Sequence, residues 1–575
     1  IPVWPSQVYP ADEHYQRWEQ KTGLVANSYG QFLMAGGDIL QIFIDRCRQT
    51  GQIPFISFCM NDPHYQDYAD NYAAGIYQSQ SQWICDFYME HLADRLGSDY
   101  MTNYRSRGLN WILPQVRQYK YDLIEEICEN YDFDGLELDF LRWDGYFKTS
   151  ETTQAQRESI MTAFVSSIRA LLDRTAKPSQ HRWLGMRVPC YLANYSAMGI
   201  NLQSAAAAGI DFVNVSTSYP LKQQTDLAQI RALLPNTTIY FEFNYMTTDL
   251  RGRGYDNFDF FRSTDEQYYT TAHLAYQQGA DGISFFNFQY YRGGYDYLTN
   301  PQGPYHEPPF YIIPNLRDRQ WLANRPQQCY MEGDSSWRRD MPRTLSAGQT
   351  YSMPLKLYPT ESLFPANAML RLCHGEHCGD CSWTVKFNGV VLEKAKYIEL
   401  PINNRYDKNE YGDPDQWACF IVPNELIASG TNTVIIKLDS GGPVTLRYYD
   451  LVLSPDMYLR DYDKNEQIDI WDLAGFSEYW LFDQCQDGRW CQGRDLNQDN
   501  KVDIADFVSF ASYWQSGVES DERIVKGVAG LIGWYKADSI TCLTDGQVVG
   551  VWSSSGGAAA NAVTTSGSPV YRQSR

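Results

Sequence analysis

The chain has 575 residues and a mass of 66.2 kDa, which predicts three or four domains at the usual ~100–200 residues per domain. With 43% hydrophobic residues it can build real cores, yet no apolar run approaches the ~18 residues of a membrane-spanning helix. A net charge of −21 argues against a nucleic-acid partner, because phosphates attract basic surfaces.

The chain is rich in aromatic residues, with 43 Tyr and 16 Trp. These side chains combine a flat apolar body with a polar tip, which suits the C–H faces and the hydroxyl groups of sugars. The composition therefore favours a carbohydrate ligand, although an aromatic-rich core would give the same numbers.

The start of the chain and its cysteines bear on where the protein works. The sequence begins at Ile1 without a visible leader, so we expect either a processed protein or a fragment. Among the 13 cysteines, Cys485 and Cys491 lie between two acidic loops and could close a small disulfide, which is typical of exported proteins.

Residues 1–318 alternate between predicted strands and helices, as in parallel β/α units. We predict a (β/α)8 barrel whose first strand precedes residue 1, which would make the start an amino-terminal truncation. An open doubly wound sheet is the alternative, but no strand is followed by a Gly-rich phosphate loop. The predicted helices cover 37–47, 114–130, 155–175, 201–208, 224–234 and 265–278, and the strands lie near residues 53, 109, 135, 184, 212, 239 and 283.

The predicted strand after Gly135 carries two acids, Glu137 and Asp139. Their spacing of two places both on one face of the strand. An unpaired buried carboxylate is costly, so such a face is usually kept for a purpose, and Asp139 is the first catalytic candidate. The alternative is that both acids belong to a structural network with Arg142 or Arg187.

A second acid, Glu242, lies between Phe241 and Phe243 near the end of another predicted strand. Two carboxylates from different strand ends that face one mouth are the arrangement glycoside hydrolysis needs. The aromatic neighbours favour the protonated form of Glu242, so we assign it as general acid/base and Asp139 as nucleophile or base. The alternative is that Glu242 is a buried acid paired with an arginine.

Polar and aromatic residues at the predicted strand ends would line the sugar-binding subsites. Arginines among them suit an anionic polymer, sulfated or uronic. The predicted subsite residues are Asn61, Asp62, His64, Asn110, Trp111, Glu137, Arg142, Trp143, Arg187, Tyr191, Tyr219, Asn244, Asn287 and Gln289.

The region 30–315 resembles the bacterial glycoside-hydrolase-like barrels, in which a helix such as 114–130 leads into an Asp-Gly-rich strand that ends in Asp. It is also similar to α-galactosidase and fucosidase relatives, which carry an Asp nucleophile after strand four. The resemblance implies a hydrolase barrel. The chain departs from the chitinase pattern Asp-Gly-x-Asp-x-Asp-x-Glu, because Glu137 takes one of the acid positions and Leu141 the position of the catalytic Glu.

From residue 319 the pattern changes to short alternating strands, with an Asn388-Gly389 hairpin signal. This predicts a β-sandwich over 319–455 that either buttresses the barrel or binds sugar. The cluster 373–381 holds three cysteines and two histidines, but its spacing is too local for a zinc finger. Disulfides or thiols in a hairpin are favoured there over a metal.

Residues 461–472 and 495–506 are an internal repeat with an offset of 34. Oxygen ligands at loop positions 1, 3, 5, 9 and 12 are what calcium needs, although position 6 is Glu466 or Asn500 rather than Gly. We predict two structural calcium sites, and no cofactor for catalysis. The predicted metal-site residues are Asp461, Asp463, Asn465, Gln467, Asp469, Asp472, Asp495, Asn497, Asp499, Lys501, Asp503 and Asp506.

The repeat resembles a type I dockerin over about 456–517. The resemblance implies attachment of a secreted or cell-surface bacterial enzyme, with a cohesin-like protein as partner. A calcium-stabilised spacer without a partner is the alternative. Residues 518–575 are interpreted as a linker and an incomplete segment similar to a concanavalin-like lectin sandwich, too short to close a core.

Together these features predict a multidomain, secreted glycoside hydrolase that acts on a polysaccharide. The competing class is a non-catalytic carbohydrate-binding or scaffold protein on a degenerate barrel. A third class, a lyase, would need a base beside a bound uronate, and His64 with Tyr65 is the only indication of one.

Overall fold

The chain forms two compact units in a computed structural model. The first comprises Ile1–Ala395 with Glu399–Leu453, and the second comprises Lys396–Ile398 with Ser454–Arg575. No helix among the described residues has the length and apolar character that crossing a bilayer requires. The structure describes residues 2–97, 104–141, 143–217, 220–245, 263–288, 309–325, 327–331, 341, 343–359, 368–374, 381–395, 417–446, 448–453, 460, 462, 468–485, 491, 494–496, 501–511, 551–552 and 562–563.

A curled parallel sheet of six strands, paired in chain order, is the centre of the first unit. Helices separate the strands along the chain, as predicted. The strands are β1 (Phe55–Cys59), β2 (Gly135–Asp139), β3 (Trp183–Pro189), β4 (Phe212–Ser216), β5 (Thr238–Phe243) and β6 (Gly282–Phe285). The helices are α1 (Ala11–Thr22), α2 (Ser28–Met34), α3 (Ile39–Gln49), α4 (Ala69–Ala73), α5 (Asp86–Glu90), α6 (Pro114–Asn130), α7 (Gln154–Thr175), α8 (Tyr195–Met198), α9 (Leu202–Ala207), α10 (Leu227–Leu233), α11 (Asp265–Gln277) and α12 (Arg319–Ala323).

The described part of the sheet is a half-barrel, so the predicted eight-stranded barrel is confirmed only in its parallel β/α character. The predicted strand near residue 109 is wrong. Leu109 makes only an isolated bridge with Arg95, and Trp111 is fully buried against Tyr146 and Phe164. This short segment turns into α6, where Pro114 occupies the first turn.

The two faces of the sheet differ in character because side chains alternate along each strand. Leu136 and Leu138 of β2 are fully buried in the hydrophobic core that the helices share. Glu137 and Asp139 point to the opposite, concave face. The predicted common face of these two acids is therefore confirmed.

Three aromatic rings close the concave face near the amino ends of the strands, and we call Phe55, Phe212 and Tyr240 the aromatic floor. Phe212 contacts the other two rings edge-on at centroid distances of 5.8 Å. Each ring lies over a glycine of the neighbouring strand, and a Cβ on Gly185 would come within 2.1 Å of Phe212. Gly135 and Gly282 make room for Phe55 and Tyr240 in the same way.

A β-sandwich follows the half-barrel, as the alternating pattern after residue 319 indicates. Its strands are β7 (Gln327–Met331), β8 (Arg343–Leu345), β9 (Thr350–Leu357), β10 (Ala368–Cys373), β11 (Ser382–Phe387), β12 (Val390–Val391), β13 (Glu393–Lys394), β14 (Trp417–Val422), β15 (Gly430–Ser440), β16 (Val444–Leu446) and β17 (Tyr448–Leu453). They form a sheet with the order β13-β14-β10-β17-β7, a sheet with the order β12-β11-β15-β9 and a short β16-β8 pair.

Buried polar contacts join the sandwich to the half-barrel. Gln223, after β4, donates to the carbonyl of Gln328 at 3.0 Å and accepts from the amide of Tyr330 at 2.8 Å. His273 of α11 bonds the carbonyl of Tyr358. Gln223 and His273 are almost fully buried, so these hydrogen bonds connect the half-barrel with the sandwich inside the first unit. In the cysteine cluster Cys381 is disulfide-bonded, and residues 375–380 lie outside the described part.

In the described part of the second unit, two helices occur at positions that differ by 34 residues, α13 (Ile470–Ser477) and α14 (Ile504–Ala511). Phe476 and Phe510 stack between them at 5.1 Å. The predicted disulfide is confirmed, with a Cys485–Cys491 sulfur distance of 2.04 Å. A short antiparallel pair, β18 (Val551–Trp552) and β19 (Ala562–Val563), also belongs to this unit.

Candidate active site

Asp139 and Glu242 both bond the guanidinium of Arg187, on the concave face of the half-barrel. Arg187 makes a two-pronged pair with Glu242, at 2.7 Å from Nε and 2.7 Å from Nη2. Its Nη1 lies 3.0 and 3.1 Å from the oxygens of Asp139. Asp139 Oδ1 also accepts from the amide of Leu141 at 2.8 Å. The two predicted catalytic acids are thus separated by a single guanidinium group.

Glu137, one step deeper on the same face, joins this group through amide and hydroxyl donors. Ser57 donates to Glu137 Oε1 at 2.8 Å, and Asn214 donates to Oε2 at 3.0 Å. Asn214 also donates to Glu242 at 3.1 Å, while its own oxygen accepts from Ser284 at 2.7 Å. We call Glu137, Asp139, Glu242 and Arg187 the acid cluster.

Burial raises the pKa of Glu137 from its ordinary value of 4.5 to about 7. The nearby Arg187 guanidinium works in the opposite direction, and the charges of Glu242 and Asp139 add to the rise. Glu137 is half-buried, whereas the side chains of Asp139, Glu242 and Arg187 are only 4–5% exposed. With a pKa of about 7, Glu137 carries a proton in part of the molecules near neutral pH.

The acid cluster has more acids than bases. Asp139 and Glu242 bond one arginine and Glu137 lies beside them, whereas the buried pair in the sandwich is one to one, with Asp450 bonded to Arg371 at 2.7 and 2.6 Å. A buried carboxylate without a compensating partner costs free energy. Clusters of interacting carboxyl groups occur at functional sites and also in structural ion-pair networks.

These ion pairs correspond to the alternative stated from the sequence, in which the acids belong to a structural network with Arg187. Glu242 accepts two guanidinium N–H bonds from Arg187, so its immediate environment is polar and not apolar. The sequence suggested an apolar environment for Glu242 because Phe241 and Phe243 flank it in the chain. In the structure these two rings lie on the other face of β5, in the hydrophobic core, and do not surround Glu242.

Other predicted subsite residues lie inside the protein and not on an open cleft. Asn61 holds the loop carbonyls of Leu109 and Gly145 at 2.9 and 2.7 Å. Asn287 is half-buried after β6 with a positive φ of 54°. Asn61, Asn110, Trp111, Tyr191 and Asn244 are all at most 6% exposed. Arg142, Tyr219 and Gln289 lie outside the described residues.

Asp62, His64 and Trp143 are brought together at the carboxyl ends of β1 and β2. Trp143 Nε1 donates to Asp62 Oδ1 at 2.7 Å, and the His64 ring bonds the same oxygen. The side chains of Asp62 and His64 are 32% and 35% exposed. These three predicted subsite residues are partly exposed to solvent.

Sequence reasoning missed the residues that connect the acids. Asn214 and Ser216 donate hydrogen bonds to Glu242, and Ser284 donates one to Asn214. The centre of the Phe286 ring lies 4.1 Å from the Arg187 guanidinium carbon. Asn214 and Ser216 alternate along β4 in an otherwise apolar strand. That alternation is the signal that could have placed them beside the acids.

The repeat has the same local geometry in both copies where it is described. Asp472 accepts from the amides of Tyr462 and Asp469, and Asp506 accepts from the equivalent amides of Leu496 and Asp503. No group of three or more metal-ligating side chains occurs within the described residues. The predicted ligands Asp461, Asp463, Asn465, Gln467, Asn497 and Asp499 lie outside them, while Asp469, Asp472, Asp495, Lys501, Asp503 and Asp506 lie inside.

Glu137→Gln is expected to change the pH dependence of stability. Between pH 4.5 and about 7 folded Glu137 keeps a proton that the unfolded chain releases, so the wild type loses stability as pH rises. The loss is at most about 3 kcal/mol, and partial exposure reduces it. A neutral amide at this position does not titrate. The stability of the variant relative to the wild type should therefore increase as the pH rises from 4.5 to about 7.

Thermal melting of both proteins at pH 4.5, 6 and 7.5 measures the effect. Glu151→Gln is the matched control, because the Glu151 side chain is 61% exposed. A constant difference between Glu137→Gln and the wild type at all three pH values would contradict the expectation.

Comparison with known proteins gives structural matches alone. No protein-family model matches the chain, and no curated protein does. The chitinase ChiA74 from Bacillus thuringiensis is 9% identical, with 71% of this chain and 82% of that chain covered and a TM-score of 0.29. The glycoside hydrolase BuGH86 in complex with neoagarooctaose is 10% identical, with coverages of 78% and 86% and a TM-score of 0.26.

A third solved structure is a cycloisomaltooligosaccharide glucanotransferase from Paenibacillus sp., complexed with cycloisomaltoheptaose. It is 12% identical over 73% of this chain, with a TM-score of 0.23, and this chain spans 49% of its length. The solved structures that resemble the chain thus include polysaccharide-degrading glycoside hydrolases, at low identity and low TM-score.

Proposed function

We propose that the half-barrel is the catalytic domain of a glycoside hydrolase that cleaves a polysaccharide. Asp139 acts as nucleophile or base, and Glu242 as general acid/base. The observation that carries the proposal is the acid cluster, in which carboxyl groups from two strands share one arginine on the concave face of a parallel sheet. Catalytic groups in parallel barrels come from the ends of different strands in this way.

The chemistry needs one ionised carboxylate and one that donates a proton to the departing glycosidic oxygen. Arg187 and the amide of Leu141 orient Asp139. As general acid, Glu242 would donate its proton to the departing oxygen. Glu137 is the nearby carboxyl group with a pKa of about 7, and Asn214 bonds both glutamates.

The competing proposal is a non-catalytic, carbohydrate-binding barrel in which the cluster is structural. The low exposure of the acids, 5% for Asp139 and 4% for Glu242, favours it. The wild type and Asp139→Asn should be incubated with a panel of plant and algal polysaccharides, and new reducing ends measured. Cleavage by the wild type alone supports the hydrolase, and binding without cleavage supports the competing proposal.

The repeat in the second unit is proposed to bind two calcium ions and to attach the secreted or cell-surface protein to a cohesin-like partner. The equal geometry around Asp472 and Asp506 supports a pair of equivalent loops. Carboxylate and amide oxygens at alternate loop positions suit a hard cation, and the ion would neutralise their mutual repulsion.

Calorimetric titration of the full chain with calcium is expected to show two equivalents bound. Asp463→Ala should leave one, because it removes a carboxylate from the first loop. Magnesium is the control, since its smaller octahedral shell fits such loops less well. Absence of calcium binding by the wild type would contradict the proposal.

A further inference from the structure

We propose that Asp62, His64, Tyr65 and Trp143 form a subsite for a neutral sugar ring beside the acid cluster. We call these four residues the Asp62 platform. This inference rests on the proposed hydrolase function, for which it names the class of sugar taken.

Asp62 orients two rings at once through a single carboxylate oxygen. Its Oδ1 accepts from Trp143 Nε1 at 2.7 Å, from the His64 amide at 2.9 Å and from His64 Nδ1. The contact is made through Nδ1, so the other ring nitrogen, Nε2, is on the far side of the ring from Asp62. A turn alone needs only the amide bond, whereas this arrangement also holds an indole and an imidazole at a set angle.

The platform lies at the same edge of the sheet as Asp139. Asp62 follows β1 and Trp143 follows β2, and these parallel strands pair with Cys59 beside Asp139. The Cys59 sulfur is 3.8 Å from Asp139 Oδ2. A sugar on the platform would therefore belong to the same glycan as one at the acid cluster.

Access and ring geometry distinguish the platform from the buried acids. Tyr65 is 39% exposed and stacks on Trp83 at 6.2 Å with 23° between the ring planes. The His64 and Trp143 rings meet edge-on at 5.2 Å. Tyr65 also has a positive φ of 61°, a costly conformation for a non-glycine residue that is typical of functional surfaces. Exposed aromatic faces with a polar edge suit the apolar face of a pyranose.

Charge decides between a neutral and an anionic sugar. The platform is built on a carboxylate, and the acid cluster beside it has surplus acid. Of the two arginines expected from the sequence to bind anions, Arg187 is already bonded to Asp139 and Glu242 at every guanidinium nitrogen, and Arg142 lies outside the described residues. A uronate or sulfate 4 Å from Asp62 would be repelled by about 1 kcal/mol in water and by more in a drier site.

Binding to Asp139→Asn, in which cleavage of the ligand should be strongly slowed, tests the inference. Calorimetric titrations of the full chain would use cello-, xylo-, manno- and laminarihexaose as neutral probes and galacturonic acid hexamer as the anionic probe. At least one neutral probe is expected to bind, and Trp143→Ala or His64→Ala should weaken it about tenfold or more. The matched control is Trp183→Ala, because Trp183 is 47% exposed at the amino end of β3.

Several results would overturn the inference: no neutral probe bound, a preference for galacturonate, or unchanged affinity in both platform variants. Should Trp143→Ala unfold, Trp143→Phe keeps a ring and loses only the bond to Asp62, and an intermediate loss of affinity is expected. The two proposals fail separately. Wild-type cleavage with unchanged KM in the platform variants removes the platform alone, and platform-dependent binding without cleavage removes the hydrolase alone.

Discussion

Asp139→Asn is expected to lower the rate of glycan cleavage by about 10²–10⁴-fold. The amide has no ionised oxygen to attack the anomeric carbon or to activate water. It is close in size and can still accept from Leu141, but its NH2 group would face Arg187 in place of an oxygen. Measurement of kcat by reducing-end release, on whichever polysaccharide the wild type cleaves, gives the effect.

The control for this variant is Asp450→Asn, which makes the same change in the ion pair with Arg371 inside the sandwich. It should lose stability in a similar way while keeping the wild-type kcat. Unchanged cleavage by Asp139→Asn would remove Asp139 from the chemistry, and the acid cluster would then be a structural network.

Arg187→Met is expected to destabilise the first unit by about 3–5 kcal/mol at neutral pH. The change leaves Asp139 and Glu242 in place, almost fully buried, without the guanidinium that compensates both. Chemical denaturation followed by tryptophan fluorescence at pH 7.5 measures the effect.

Arg371→Met is the matched control, because it leaves a single acid, Asp450, without its partner. We expect its destabilisation to be smaller than that of Arg187→Met. If Arg187→Met is as stable as the wild type at pH 7.5, the three carboxyl groups do not depend on Arg187, and the description of the cluster as a set of compensated charges is wrong.

The parallel β/α order of residues 1–318 could be predicted because hydrophobic periodicity reports directly on helices and buried strands. The limits of α6 agree with the prediction to the residue, since Pro114 favours the first turn of a helix. The common face of Glu137 and Asp139 followed from spacing alone. The disulfide between Cys485 and Cys491 was likewise suggested by local spacing.

The pairing within the site could not be predicted from the sequence, because it depends on which strands become neighbours. Arg187 contacts acids 48 and 55 residues away, and only the strand order β2-β3-β4-β5 brings them together. The neighbours of Glu242 in sequence suggested an apolar environment that belongs to the other face of β5. The expected strand near 109 failed for a similar reason, since Trp111 packs into the core from a turn.

The aromatic floor limits the direction from which a glycan can reach Asp139. Its rings fill the space that Gly135, Gly185 and Gly282 leave open, so the concave face is blocked below the acids. Within the described residues, the carboxyl edge of the sheet is the side on which Asp139 is not covered by these rings. If the proposed function holds, a glycan would approach Asp139 from that edge.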